Sequence, residues 1–211
     1  AAAWWRGPRA ARGAVGAWGS PSAARRSAGG GATGRPWPAT NARASNGISV
    51  RMVTGDNRFI ATHLAHEVGL DTKTVLTGND IAAMDAPTLT AAVASVEVFS
   101  ELSPLHKERI VRAMRSSGSV VGYLGDGIND APALQAADVG ISVDTAVAVA
   151  KRSAAIVLLD KDLGVLLAGV RQGRRTFANT MKYIFVTTSA NFGNMLSMAV
   201  AATVLPFLPL L

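Results

Sequence analysis

VVGYLGDGIND, residues 120–130, joins a short apolar run to a polar turn. Val120–Leu124 has the length and the β-branched and aromatic content of a buried strand. The turn that follows carries two carboxylates, Asp126 and Asp130, with Gly125, Gly127 and Asn129 around them. Two acids at the mouth of a buried strand repel each other unless a cation sits between them. The glycines let a backbone come close to a phosphate. The stretch therefore suits a hard divalent cation beside a phosphoryl group, with a plain structural turn as the alternative.

Outward from this stretch, apolar runs alternate with helical patterns. Strands are predicted over Ile48–Val53, Thr74–Leu76, Glu97–Ser100, Val139–Ser142 and Ala155–Leu159, besides Val120–Leu124. Helices are predicted over Asn57–Val68, Thr88–Ala94, Pro104–Ser116, Ala131–Ala137 and Thr145–Arg152. Gly69 and Gly118 follow two of them as C-caps, and Ser103 with Pro104 opens the third. This alternation implies βαβ units and a mostly parallel sheet covered on both faces.

Residues 1–45 have a different texture. The chain has a net charge of +7, and seven of its 21 bases are arginines within residues 1–47, where there is no acid. The remaining fourteen bases match the 14 acids, so the rest of the chain is neutral. This leader also holds all four tryptophans (Trp4, Trp5, Trp18, Trp37) and shows no helical or strand period. Such a segment is expected to be disordered. A solvated leader without function, including a truncation or frameshift product, a transit peptide and a nucleic-acid arm are the three readings of it. The neutral remainder argues against nucleic acid as a partner. With no cysteine, disulfides and thiolate metal sites are excluded.

From Leu163 a long helical pattern begins, with Arg171, Arg174, Arg175 and Lys182 in its first half. No charge occurs from Tyr183 to Leu205. The sequence predicts a stalk helix over 163–182 and a transmembrane helix over 183–205, ended by Pro206 in a loop over 206–211. A buried core helix is the alternative. The polar residues Thr187, Thr188, Ser189, Asn191, Asn194 and Ser197 suit a helix bundle or an ion path better than a lone span. The basic cluster before the span puts the preceding domain on the cytoplasmic side.

In open parallel sheets, ligands bind beyond the carboxyl ends of the strands. Three polar clusters fall there: Thr54-Gly55-Asp56, Ser100 through Lys107, and Gly125 through Asp130. Together they supply what phosphoryl transfer requires. Asp126 and Asp130 offer oxygen to Mg²⁺, Thr54 a hydroxyl and nearby N–H groups to phosphoryl oxygens, and Lys107 a fixed cation. Singly, each motif is weak, since a TGD turn or a helix lysine is commonly structural. Their order and placement together are far more specific.

Thr54-Gly55-Asp56, SPLHKERIV (Ser103–Val111) and GDGINDAPAL (Gly125–Leu134) resemble the phosphorylation domain of a P-type cation-transporting ATPase, of haloacid dehalogenase-like fold. RRTFANTMKYI (Arg174–Ile184) resembles the stalk running into the fifth membrane helix of such pumps, and the likeness covers about residues 46–211. NFGNMLSMAVAATVLPFLPLL (Asn191–Leu211) is most similar to the bacterial magnesium-translocating branch. The resemblance implies a partial phosphorylation domain over 46–162, with Thr54, Gly55 and Lys107 around the phosphoryl group. It implies Asp56, Gly125, Gly127 and Asn129 near the nucleotide and phosphate, and Asp126 and Asp130 at Mg²⁺. Asn191 and Asn194 become candidate ion-path residues, with interhelical hydrogen bonding as their other reading.

It also implies Mg²⁺ and ATP as cofactors, a transported cation, and a bacterial inner-membrane location. The family's nucleophilic aspartate precedes these motifs, yet the first acidic residue here is Asp56. The chain is thus expected to be a truncated portion of a pump, with an incomplete sheet and no activity of its own. A membrane-tethered remnant that associates with a full-length pump is the alternative, and a phosphatase of the same fold is less favoured.

Overall fold

The computed structural model describes residues 15–18, 47–159 and 163–204. Seven strands form one sheet: β1 (Val15–Trp18), β2 (Val50–Val53), β3 (Val75–Thr77), β4 (Val98–Ser100), β5 (Val121–Leu124), β6 (Val139–Val143) and β7 (Ile156–Leu158). Their spatial order is β3-β4-β2-β1-β5-β6-β7, and every neighbouring pair is parallel. Parallel neighbours need a crossover between them. Helices α1 (Arg58–Glu67), α2 (Gly78–Ala83), α3 (Ala86–Ser95), α4 (Pro104–Ser116), α5 (Ala131–Ala136) and α6 (Ala148–Ser153) lie in those connections.

Local chemistry fixes the ends of these elements. The side chain of Asn57 caps α1 by accepting from Phe59 N at 2.9 Å. Ser103 caps α4, its hydroxyl accepting from His106 N at 3.3 Å, and Pro104 follows where no N–H is needed. Gly69 and Gly118 take φ of 77° and 81° beyond α1 and α4, the left-handed region that glycine enters without a steric cost. Helix α2 has no hydrophobic period to betray it. A reciprocal box starts it, with Thr77 accepting from Asp80 N and Asp80 from Thr77 N.

The core is built from both sheet faces and the covering helices. Val53, Phe99, Val121 and Tyr123 from the strands meet Ile81, Leu89, Val93, Ile110, Met114 and Leu134 from the helices. Arginines fasten some helix ends. Arg51 donates to Ala94 O in the last turn of α3 and to Val96 O just after it, at 3.1 Å each. Arg115 donates to Ala136 O at 2.8 Å and pairs with Asp138 at 2.9 Å.

One expectation fails at the centre of the sheet. Residues 15–18 belong to the leader expected to be disordered, yet they form β1 between β2 and β5. Gly16 pairs with Val50 and Gly122, and Trp18 with Met52 and Leu124. The physical reason is hydrogen bonding. The inner edges of β2 and β5 carry unpaired backbone groups, and a short extended segment satisfies both at once. The sheet therefore has no open edge where the sequence left one. The rest of the leader, residues 1–14 and 19–46, and the loop 206–211 lie outside the described residues.

The backbone divides into two compact units, Ala1–Leu163 and Gly164–Leu211. Among the described residues the second is made by helix α7 (Leu163–Val204), 42 residues in one run. Most of its side chains from Gly169 onward are exposed, including Phe177 at 64%, Tyr183 at 72% and Phe192 at 69%. Among the described residues no helix is long and apolar enough to cross a membrane. The helix expected over 183–205 is present as far as Val204, and by its own length and apolarity it does not reach a membrane span. A helix is there and lacks charge, but the hydroxyls and amides from Thr187 to Ser197 hold its hydropathy down.

Candidate active site

The three polar clusters converge on the carboxyl-end rim of the sheet. Val53 hands the chain to Thr54, whose N–H donates to Phe99 O at 3.0 Å, continuing the β2–β4 ladder by one step. Thr54 is buried, and its Oγ1 donates to Asp56 Oδ2 while accepting from Asp56 N at 3.1 Å. Asp56 thus orients the threonine hydroxyl. The turn is tied to the loop after β4 through Glu101 N to Asp56 O (2.9 Å) and Leu102 N to Thr54 O (3.2 Å). Glu101 has φ of 56°, an uncommon conformation for a residue with a side chain. Its Oε1 accepts from Arg58 N at 3.1 Å, so both its backbone and its side chain hold it there. Gly55 sits beneath Leu102 O, which a Cβ would approach to 3.3 Å.

Lys107 joins this rim to the turn after β5. It lies on the first turns of α4, only 4% exposed, and its Nζ is 2.8 Å from Asp130 Oδ1, in a residue 2% exposed. Tyr123 Oη donates to the same Oδ1 at 2.9 Å. Gly127 N donates to Oδ2 at 3.2 Å. Burial, then the negative charge of Asp130, pushes the Tyr123 hydroxyl well above its ordinary value of 10.0. Gly125 is required by close approach, since a Cβ there would lie 2.6 Å from Asp130 Cβ. Ser142 Oγ donates to Gly125 O at 2.9 Å, which steadies the start of the turn.

The carboxylates expected at a metal thus have different places. Asp130 is a buried holder whose oxygens receive Lys107, Tyr123 and Gly127. Asp126 is half-buried at the mouth, and its carbonyl accepts from Val147 N at 3.3 Å. No group of three or more His, Asp or Glu among the described residues could hold a metal ion. Mg²⁺ needs fewer, because it keeps several waters and takes one or two carboxylates besides phosphate oxygens. Asp126 offers one such half-buried carboxylate, and Asp130 is the buried partner of Lys107. Gly127 serves Asp130, and Asn129 is exposed on the 3₁₀ turn Ile128–Asp130. Asn191 and Asn194 lie on α7 in the second unit, both exposed.

Tyr123 and Glu101 were not singled out from sequence. Tyr123 reads as one more apolar strand residue, and the only hint was a hydroxyl in a run that packing alone would fill with phenylalanine. Glu101 falls inside the cluster Ser100 through Lys107, but its positive φ leaves no mark on composition. Ser100 Oγ and His106 Nδ1 are buried with no hydrogen-bond partner among the described residues.

The molecule is thus a parallel α/β domain with these motifs at the carboxyl edge of its sheet. Residues 38–138 match the family of haloacid dehalogenase-like hydrolases. The chain is 52% identical over 174 residues to the "Magnesium-transporting ATPase, P-type 1" of Salmonella typhimurium LT2, covering 82% of this chain and 19% of that protein. The protein of the same name from Escherichia coli K12 gives the same identity and coverage. A "Probable cation-transporting ATPase F" of Mycobacterium tuberculosis H37Rv is 42% identical over 175 residues, 78% of this chain and 19% of that one. Among solved structures, a zinc-transporting PIB-type ATPase in an E2.Pi state is similar, with a TM-score of 0.60 and 25% identity. It covers 78% of this chain and 23% of that chain. The chain belongs to the P-type cation-transporting ATPases and is similar to their magnesium-transporting members. It spans about a fifth of the length of the curated relatives it matches.

Proposed function

We propose that this chain supplies the cation- and phosphate-stabilising half of the phosphorylation site of an ATP-driven magnesium-transporting ATPase. The observation that carries this reading is the buried Lys107–Asp130 pair, 2.8 Å apart, on the same rim as Thr54 and Asp126. A buried ion pair is weak evidence for stability, because desolvation offsets most of its attraction. A fixed ammonium where phosphoryl charge would gather is an electrostatic device that a packed hydrophobic pair could not replace. Thr54, oriented by Asp56, offers the hydroxyl that would meet a phosphoryl oxygen, and the Gly55 backbone lies beside it. Mg²⁺, when bound at Asp126, would offset charge on those oxygens.

Helix α7 belongs to the same proposal. Its second half has exposed apolar side chains and no charge, while its hydroxyls and amides need partners in an apolar medium. It fits among other membrane helices rather than as a lone span. Asn191 and Asn194, three residues apart and so on one helix face, would face the transported Mg²⁺ or a neighbouring helix. The location proposed is a bacterial inner membrane, with the sheet domain on the cytoplasmic side, where Arg171, Arg174, Arg175 and Lys182 precede the uncharged run.

The expected outcome is Mg²⁺-dependent binding of inorganic phosphate that Lys107→Met abolishes. Phosphate binding indifferent to Lys107→Met would overturn the site.

A further inference from the structure

Tyr123 carries a hydroxyl that the core does not need. The residue is fully buried in a strand, among Val53, Phe99, Ile110, Val121 and Leu134 of the core cluster. A phenylalanine would fill that space, and burying an unbonded hydroxyl there would be unfavourable. The hydroxyl has one bond, to Asp130 Oδ1 at 2.9 Å, the oxygen that also accepts from Lys107 Nζ at 2.8 Å. Gly127 N holds the other oxygen at 3.2 Å. Asp130 is thereby gripped by a fully buried ring, a backbone amide, and a buried lysine on a long stem.

The three grips are unequal in what they can do. The ring is rigid and the amide is part of the turn, so these two fix where Asp130 sits. Lys107 has four rotatable methylenes and follows its partner. The ammonium spends one of its three N–H donors on Oδ1, and the direction of that bond sets where the other two point. We propose that Tyr123 is a positioning residue of this site: it fixes Asp130 and, through Asp130, aims Lys107 at an incoming phosphate oxygen. The inference rests on the phosphate-site reading above and assigns a residue that the rim motifs do not contain. Gly125 serves the same arrangement, because a Cβ there would press on Tyr123 Cε1 at 3.1 Å as well as on Asp130.

The test uses the full chain with Tyr123→Phe, which keeps the ring and removes the hydroxyl alone. Inorganic phosphate in the presence of MgCl₂ should bind about tenfold more weakly, the factor that corresponds to one hydrogen bond to a charged group. Circular dichroism should be unchanged, which separates this outcome from misfolding. The chain has two tyrosines, so ¹³Cζ-tyrosine labelling gives a second readout. The Tyr123 resonance should move in Asp130→Asn and again when phosphate binds to the unmutated chain. Phosphate affinity unchanged in Tyr123→Phe would overturn the inference. If the unmutated chain binds no phosphate, the phosphate-site reading fails by itself. The resonance then decides: a Tyr123 signal unmoved by Asp130→Asn overturns the grip, and a moved one supports it.

Discussion

Asp130 gathers three donors in a buried place, and the phenol among them makes stability depend on pH from an unusual side. Tyr123 is neutral in the fold, and burial together with the charge of Asp130 raises its pKa well above 10.0. The unfolded chain releases the phenol proton first as pH rises. The stabilisation is therefore complete below about pH 10 and is lost as pH climbs from there through the folded value. Urea midpoints between pH 8 and pH 11, on the order of that range, should fall for the unmutated chain and fall less for Tyr123→Phe. At this scale the sequence was half legible. Asp126, Asp130, Thr54 and Lys107 stood out because carboxylates, hydroxyls and amines at strand ends are rarely idle. That Asp130 holds Lys107 was hidden, because the grip on Asp130 depends on donors contributed by Tyr123 and Gly127.

The helices show why element starts are easier to read than the strand that matters most. Ser103-Pro104 announced α4 to the residue, since a hydroxyl cap and a proline both have a local job there. That cap also sets where the first turns of α4 begin, and so where Lys107 enters the rim. Ser103→Ala should cost about 1 kcal/mol of stability in thermal or urea unfolding and should weaken phosphate binding as well. A stability loss with no change in binding would separate the cap from the site. Helix α2 was missed because its start rests on a Thr77–Asp80 exchange rather than on a hydrophobic stripe. Strand β1 was missed for a different reason. Four residues, VGAW, carry no alternation and sit in an Arg- and Ala-rich segment, and only the two strands beside them give them a conformation.

Across the whole sheet, β1 is the joint between two halves. Strands β3, β4 and β2 lie on one side of it and β5, β6 and β7 on the other. Proline at Gly16 would remove an N–H and clash within a central strand, where proline is not accommodated. Gly16→Pro should abolish a single cooperative melting transition and increase dye-detected apolar exposure. Retention of one sharp transition would show that the halves hold without the joint.

The same joint constrains how the molecule is assembled in time. Val15 pairs with Val121, a partner about a hundred residues further along the chain. A contact of that sequence separation closes a long loop before any ladder bond rewards it, and folding rates fall as such contacts come to dominate. On a ribosome, the N-terminal strand must wait while most of the domain is synthesised before its second neighbour exists. Until then one side of it stays open, a transient template for another chain.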